Sequence, residues 1–98
     1  MLRVSYLFTG TDEEREQYVR ETFMPLLREL PDVRRVDTWR VTEVAVGEVR
    51  ARFIVDAWFD DEHAMHTAFA SAEGRRVARE IMATDGRGME MIAAVALD

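Results

Sequence analysis

Asp56 lies between Val55 and Ala57, inside the apolar run Ile54 to Phe59, where aspartate is a poor strand former. A carboxylate in such a place has one of two tasks. Facing a dry cleft, it would be poorly hydrated, its neutral form would gain, and it would approach the range of a useful general base. Facing a neighbouring strand, it would pair with Arg35, Arg40 or Arg52, the commoner fate of such a group. Tyr6, Phe23, Trp39 and Trp58 are of the right type to line a pocket for a flat apolar ligand, and equally of the right type to fill a core. Arg40 offers a planar fork for a ligand carboxylate or enolate, or for a cross-strand ion pair.

Other chemistries find less support. His63 and His66, the two histidines, stand three apart on one helical segment, a spacing that can serve a transition metal. Their neighbours Met65, Ala68 and Phe69 carry the apolar stripe, which turns both imidazoles toward water, and no third ligand is at hand. The chain holds no cysteine, so disulfides and thiolate metal sites are excluded. No glycine-rich phosphate loop and no Ser-His-Asp order occurs. No metal and no cofactor is expected.

The elements that must position these groups follow from periodicity. Leu2 to Phe8 reads as a first strand, ended by Gly10. Thr11 and Glu14 are spaced as a capping box for the helix that follows. Its buried stripe is Tyr18, Val19, Thr22, Phe23, Leu26, Leu27 and Leu30, with Glu16 and Arg20 paired on the wet face. Pro25 has no amide for the Glu21 carbonyl, so a kink near Glu21 is expected, and Pro31 ends the element. Val33 to Val44 reads as a second strand, with a turn around Gly47. Arg50 to Phe59 is the third, with Ala51, Phe53, Val55, Ala57 and Phe59 sharing a face, and with Glu43 placed to meet Arg50 or Arg52. Asp60 or Asp61 caps a helix with the stripe Ala64, Met65, Ala68 and Phe69. Ser71 breaks or re-caps it, and Val77, Ala78, Ile81 and Met82 continue the buried side. A turn at Asp85 to Gly88 leads into a last strand, Met89 to Leu97.

The order is β-α-β-β-α-β, an α+β, ferredoxin-like arrangement: an antiparallel four-stranded sheet with two helices on one face. A single domain spans residues 1–98. Helices on one face leave the other open, and that face should alternate to polar residues in a monomer. The last strand breaks the rule, since Met89, Met91, Ala93, Val95 and Leu97 point one way and Ile92, Ala94 and Ala96 the other. An exposed patch of that kind marks an interface. A two-fold homodimer joined sheet to sheet is the expectation.

Charge narrows the partners. A formal net charge of −6 opposes a nucleic-acid partner, which needs a concentrated positive field. Arg75, Arg76 and Arg79 cluster, but Glu73 and Glu80 dilute them. No apolar run approaches the ~20 residues a spanning helix needs, and no secretory signal opens the chain. A cytoplasmic protein without a membrane partner is expected.

Several motifs resemble those of the EthD-like family of dimeric α+β-barrel proteins. Glu21-Thr22-Phe23-Met24-Pro25-Leu26 is similar to that family's Thr-His-any-Pro-Leu stretch, with Phe23 in the usual histidine position. Ile54-Val55-Asp56-Ala57-Trp58-Phe59-Asp60 is similar to its third strand, and Ser71-Ala72-Glu73-Gly74 to its Ser-Pro-Glu-Gly stretch. The resemblance implies a dimeric α+β barrel with a ligand cleft between helices and sheet. The implied ligand is a small hydrophobic metabolite, aromatic or polyketide-like, handled by cofactor-independent oxygenase, isomerase or cyclase chemistry. The family's carboxylate carries over to Asp56 and its aromatic neighbour to Trp58. Phe23 cannot transfer a proton, so a non-catalytic accessory homodimer with a filled cleft is the alternative.

Overall fold

The computed structural model describes residues 1–10, 13–83 and 88–97. Strands β1 (Leu2–Phe8), β2 (Arg35–Arg40), β3 (Phe53–Phe59) and β4 (Met89–Val95) form one sheet in the order β2-β3-β1-β4. Every pairing is antiparallel. Helices α1 (Glu13–Tyr18) and α2 (Met24–Arg28) are joined through a π-helical turn, Val19–Phe23, and α3 (Glu62–Ala70) and α4 (Ala72–Ala83) follow β3. The fold is α+β, as the element order implied. Thr11 of the expected capping box lies outside the described residues, as does most of the Asp85 to Gly88 turn.

Pro25 acts as its chemistry requires, in a form wider than a simple kink. It cannot donate to the Glu21 carbonyl. The preceding turn loosens, and the Met24 amide reaches back five residues to the Val19 carbonyl. That extra residue rotates the stripe. Val19, Phe23, Leu27 and Leu30 are buried, while Thr22, expected inside, is exposed. Phe23 packs edge-on against Tyr6 and Phe8, with centroids 4.9 and 5.2 Å away.

Leu2, Val4, Tyr6 and Phe8 of β1 meet these residues together with Phe53, Val55, Ala57 and Phe59 of β3, so the expected face of β3 is the buried one. β2 and β3 are shorter than the alternation suggested. The ladder ends soon after Arg40, where Val41 donates to the Arg52 carbonyl at 2.8 Å. Val46 and Val49 of the connecting segment are exposed, and with no element covering them their apolar pattern builds no strand. Arg52 donates to the carbonyls of Val49 and Ala51.

Asp61 is the residue that caps α3, accepting from the Ala64 amide at 2.8 Å, while Asp60 takes Arg34 with both oxygens. Ser71 re-caps: its hydroxyl accepts from the Gly74 amide and donates to the Ala68 carbonyl. Gly74 allows this corner to close, since a Cβ there would stand 2.5 Å from the Ala68 oxygen and the Phe69 backbone. On α4, Val77 is buried and Ile81 half-buried, but Ala78 and Met82 face solvent. Tyr18 donates at 2.8 Å to Glu80, which lies next to Ile81 on α4.

Beyond Met89, which joins the core, β4 is left largely uncovered. Met91 and Val95 on one of its faces and Ile92 on the other are at least half exposed, and β4 is also a sheet edge.

Candidate functional site

The six residues singled out by type fall into three places. Tyr6 and Phe23 are in the core between helices and sheet, both essentially without solvent contact. The Tyr6 hydroxyl has no hydrogen-bond partner among the described residues, and burial pushes its pKa up. The centre of the expected cleft is thus occupied by packed rings.

Asp56, Trp39 and Trp58 belong to the opposite, uncovered face. The register aligns Asp37, Asp56, Ser5 and Ile92 across the four strands, one row of that face. Asp56 is 5% exposed although no helix covers it. Its shelter comes from its neighbours. Ser5 Oγ donates to Oδ1 at 2.5 Å, Trp39 Nε1 donates to Oδ2 at 3.1 Å, and Arg3 Nε stands 4.0 Å away. The ion pairs expected with Arg35, Arg40 or Arg52 do not form. Arg35 turns to Asp37 at 2.8 Å and Arg40 points to the other side of the sheet, because alternate residues of a strand face opposite ways. Trp58 mirrors Trp39: its Nε1 donates to Asp37 at 3.1 Å, and the guanidinium groups of Arg35 and Arg3 lie over its ring at 4.8 and 5.6 Å. Trp58 and Arg3 also edge a shallow depression of about 280 Å³ beside Ala94 and Val95.

Arg40 is the candidate that borders a roomier space. A groove of about 410 Å³ runs between the first helical segment and β2, lined by Glu16, Val19, Arg20, Met24, Thr38, Trp39, Arg40 and Phe53. Met24 gives it an apolar wall, and Phe53 reaches it only at an edge, with Val19 buried beneath. Trp39, whose indole N–H bonds Asp56 on the uncovered face, also borders this groove at the sheet edge. Thr38 donates to the Met24 sulfur, tying wall to wall. At the mouth, Arg40 donates to Glu16, and Arg20 lies 4.0 Å from the same carboxylate. Arg40 chiefly, with Arg20 adding, holds the Glu16 carboxyl below its ordinary range. The mouth therefore carries two cations and one anion.

Glu16, Arg20, Met24 and Thr38 escaped the reading by residue type. Glu16 and Arg20 looked like an ordinary surface pair, and Met24 and Thr38 gave no signal at all. The π turn that brings Val19 and Met24 to β2 was foreshadowed only by Pro25. His63 and His66 are exposed, His66 lying 3.4 Å from Glu62, and no group of three metal-ligating side chains occurs among the described residues. No helix among them is long and apolar enough to cross a membrane.

No family model matches the sequence, and no curated protein matches it. Solved structures do. An ethyl tert-butyl ether d (EthD) family protein from Bacillus halodurans c-125 superposes with a TM-score of 0.85 at 18% identity, over 99% of each chain. A dimeric ferredoxin-like protein of unknown function from Jannaschia sp. CCS1 gives 0.70 at 17% identity, over 97% of this chain and 98% of that one. A variant of SnoaB, a cofactor-independent oxygenase from Streptomyces nogalater, gives 0.65 at 13% identity, over 99% of this chain and 92% of the other. At these identities the likeness is one of fold.

Proposed function

We propose, from a fold shared with an EthD family protein and a cofactor-independent oxygenase, that this chain is a homodimeric binder of a small hydrophobic metabolite, aromatic or polyketide-like. The groove between the π turn and β2 carries this reading. Its volume of about 410 Å³ is within the range of small-molecule sites, and it sets an apolar wall beside a few convergent polar groups. The second copy would cover the apolar surface of β4, which beyond Met89 lies bare on both faces.

Binding alone is assigned to the groove. A general base must come within hydrogen-bond reach of the proton it takes. Asp56 stands on the other face and already accepts from Ser5 and Trp39. Its task in this reading is to knit β1, β2 and β3 together.

One observation favours a second reading, a non-catalytic accessory homodimer without a ligand. Phe23 fills the centre of the space between helices and sheet, stacked edge-on with Tyr6 and Phe8. A thermal-shift screen of naphthalene- to anthraquinone-sized compounds separates the two. A true ligand at a hundredfold its dissociation constant stabilises the folded state by about 2.7 kcal/mol. A flat response across the panel would favour the accessory role.

A further inference from the structure

The mouth of the groove contains more positive than negative charge, and its carboxylate belongs to the chain itself. Arg20 and Arg40 are both more than half exposed, whereas the Glu16 carboxylate between them is less than a third exposed. Glu16 projects from α1 and Arg40 from β2, so their contact spans the groove instead of lying along one helix. A guanidinium has five donors and can hold a carboxylate with two parallel bonds. Arg40 directs one nitrogen to one Glu16 oxygen, and Arg20 stays at the outer limit of an ion pair. The donors of both are far from saturated.

We propose that the groove selects its ligand by charge. Resting on the binding role proposed above, the preferred ligand is a flat apolar molecule bearing one acidic group, a carboxylate or enolate, that docks on Arg20 and Arg40. Glu16 is then the specificity-determining residue: it occupies these guanidinium groups in the empty protein and is displaced by the ligand's own anion. A neutral molecule of the same shape leaves Glu16 in place and gains only the apolar contact of Met24 and the edge of Phe53. An extra carboxylate on the ligand meets Glu16 as a like charge, which limits the class to monoanions.

Two probes of one shape test this: 2-naphthoate and neutral 2-naphthamide, titrated calorimetrically into the intact protein. The native chain should bind naphthoate roughly fivefold more tightly than naphthamide, the order expected for a partly exposed charge pair. Glu16→Gln keeps the side chain's shape and removes its charge. It should tighten naphthoate by about tenfold while naphthamide stays within about twofold. Arg40→Gln should bring naphthoate down to the naphthamide level, and raising salt should weaken naphthoate alone. Arg20→Gln provides a second loss-of-charge variant, on an exposed helical position, should Arg40→Gln fold poorly. Equal binding of the two probes by the native chain, or a Glu16→Gln protein whose preference is unchanged, would overturn charge selection and leave the groove standing. Failure of both probes in every variant would remove the groove as a binding site and charge selection with it.

Discussion

Asp56 shows how a residue's neighbours decide its meaning. A carboxylate in an apolar strand suggests either catalysis or an ion pair; here a serine hydroxyl and an indole N–H bind it, and Arg3, not one of the expected arginines, stands at the 4.0 Å limit of an ion pair. Strand order explains why this was not legible. Ser5 and Asp56 are 51 residues apart in sequence and become neighbours only because β1 inserts between β3 and β4. Asp56→Ala would leave both donors without an acceptor on a sheltered surface, and should lower stability by about 2–3 kcal/mol in urea unfolding. Asp56→Asn keeps an oxygen for the Trp39 N–H and should lose less. Equal losses for the two variants would show that the indole bond contributes nothing. Phe23 is the contrary case: its type suited a pocket wall and a core alike, and the structure packs it in the core, edge-on to Tyr6 and Phe8.

At the scale of elements, the apolar patterns that run beneath a covering helix were readable, and those without cover were not. The buried face of β3 was evident from Phe53, Val55, Ala57 and Phe59. The ends of β2 and β3 were not: Val41 to Val44 and Arg50 to Arg52, read as strand, lie beyond a ladder that runs from Arg40 and Phe53. The π turn was half legible: Pro25 announced a disturbance, but whether the chain bends or inserts a residue depends on what Phe23 must fill. Gly74 marks the tightest joint, where α4 leaves α3. Gly74→Ala should cost about 1–3 kcal/mol in thermal or urea unfolding, because the new methyl meets backbone atoms that cannot step aside. A neutral result would mean that the corner relaxes freely.

The link from α1 to β2 through Glu16 and Arg40 has a pH signature. Arg40 holds the Glu16 carboxyl below its ordinary 4.5 in the folded chain. The ionised form thus favours folding above 4.5, and that contribution disappears as pH falls through the lower folded-state value. Arg40→Met should flatten the acid limb of stability, seen as a urea midpoint that falls less between roughly pH 6 and roughly pH 3 than it does in the native chain. An acid limb of unchanged steepness would show that the pair is not formed in solution.

For the whole molecule, β4 is the informative element. Its sequence is apolar on both faces, and beyond the buried Met89 the structure leaves both exposed, so the expectation of a second copy rests on strand and sheet alike. Ile92 is half exposed on the uncovered face, in the same row as Ser5 and Asp56. A lysine there would bring a charge into the proposed contact, and Ile92→Lys should sediment as single chains at concentrations where the native protein runs as pairs. Single chains for both proteins would remove the homodimer.

The place of binding is tested most directly by following backbone amide resonances while 2-naphthoate is added. Shifts should gather at Glu16, Arg20, Met24, Thr38 and Arg40, from α1 across the π turn to β2, and should saturate together. Shifts confined to Ser5, Asp56 and Ile92 on the uncovered face, or none at any concentration, would contradict a ligand groove at that position.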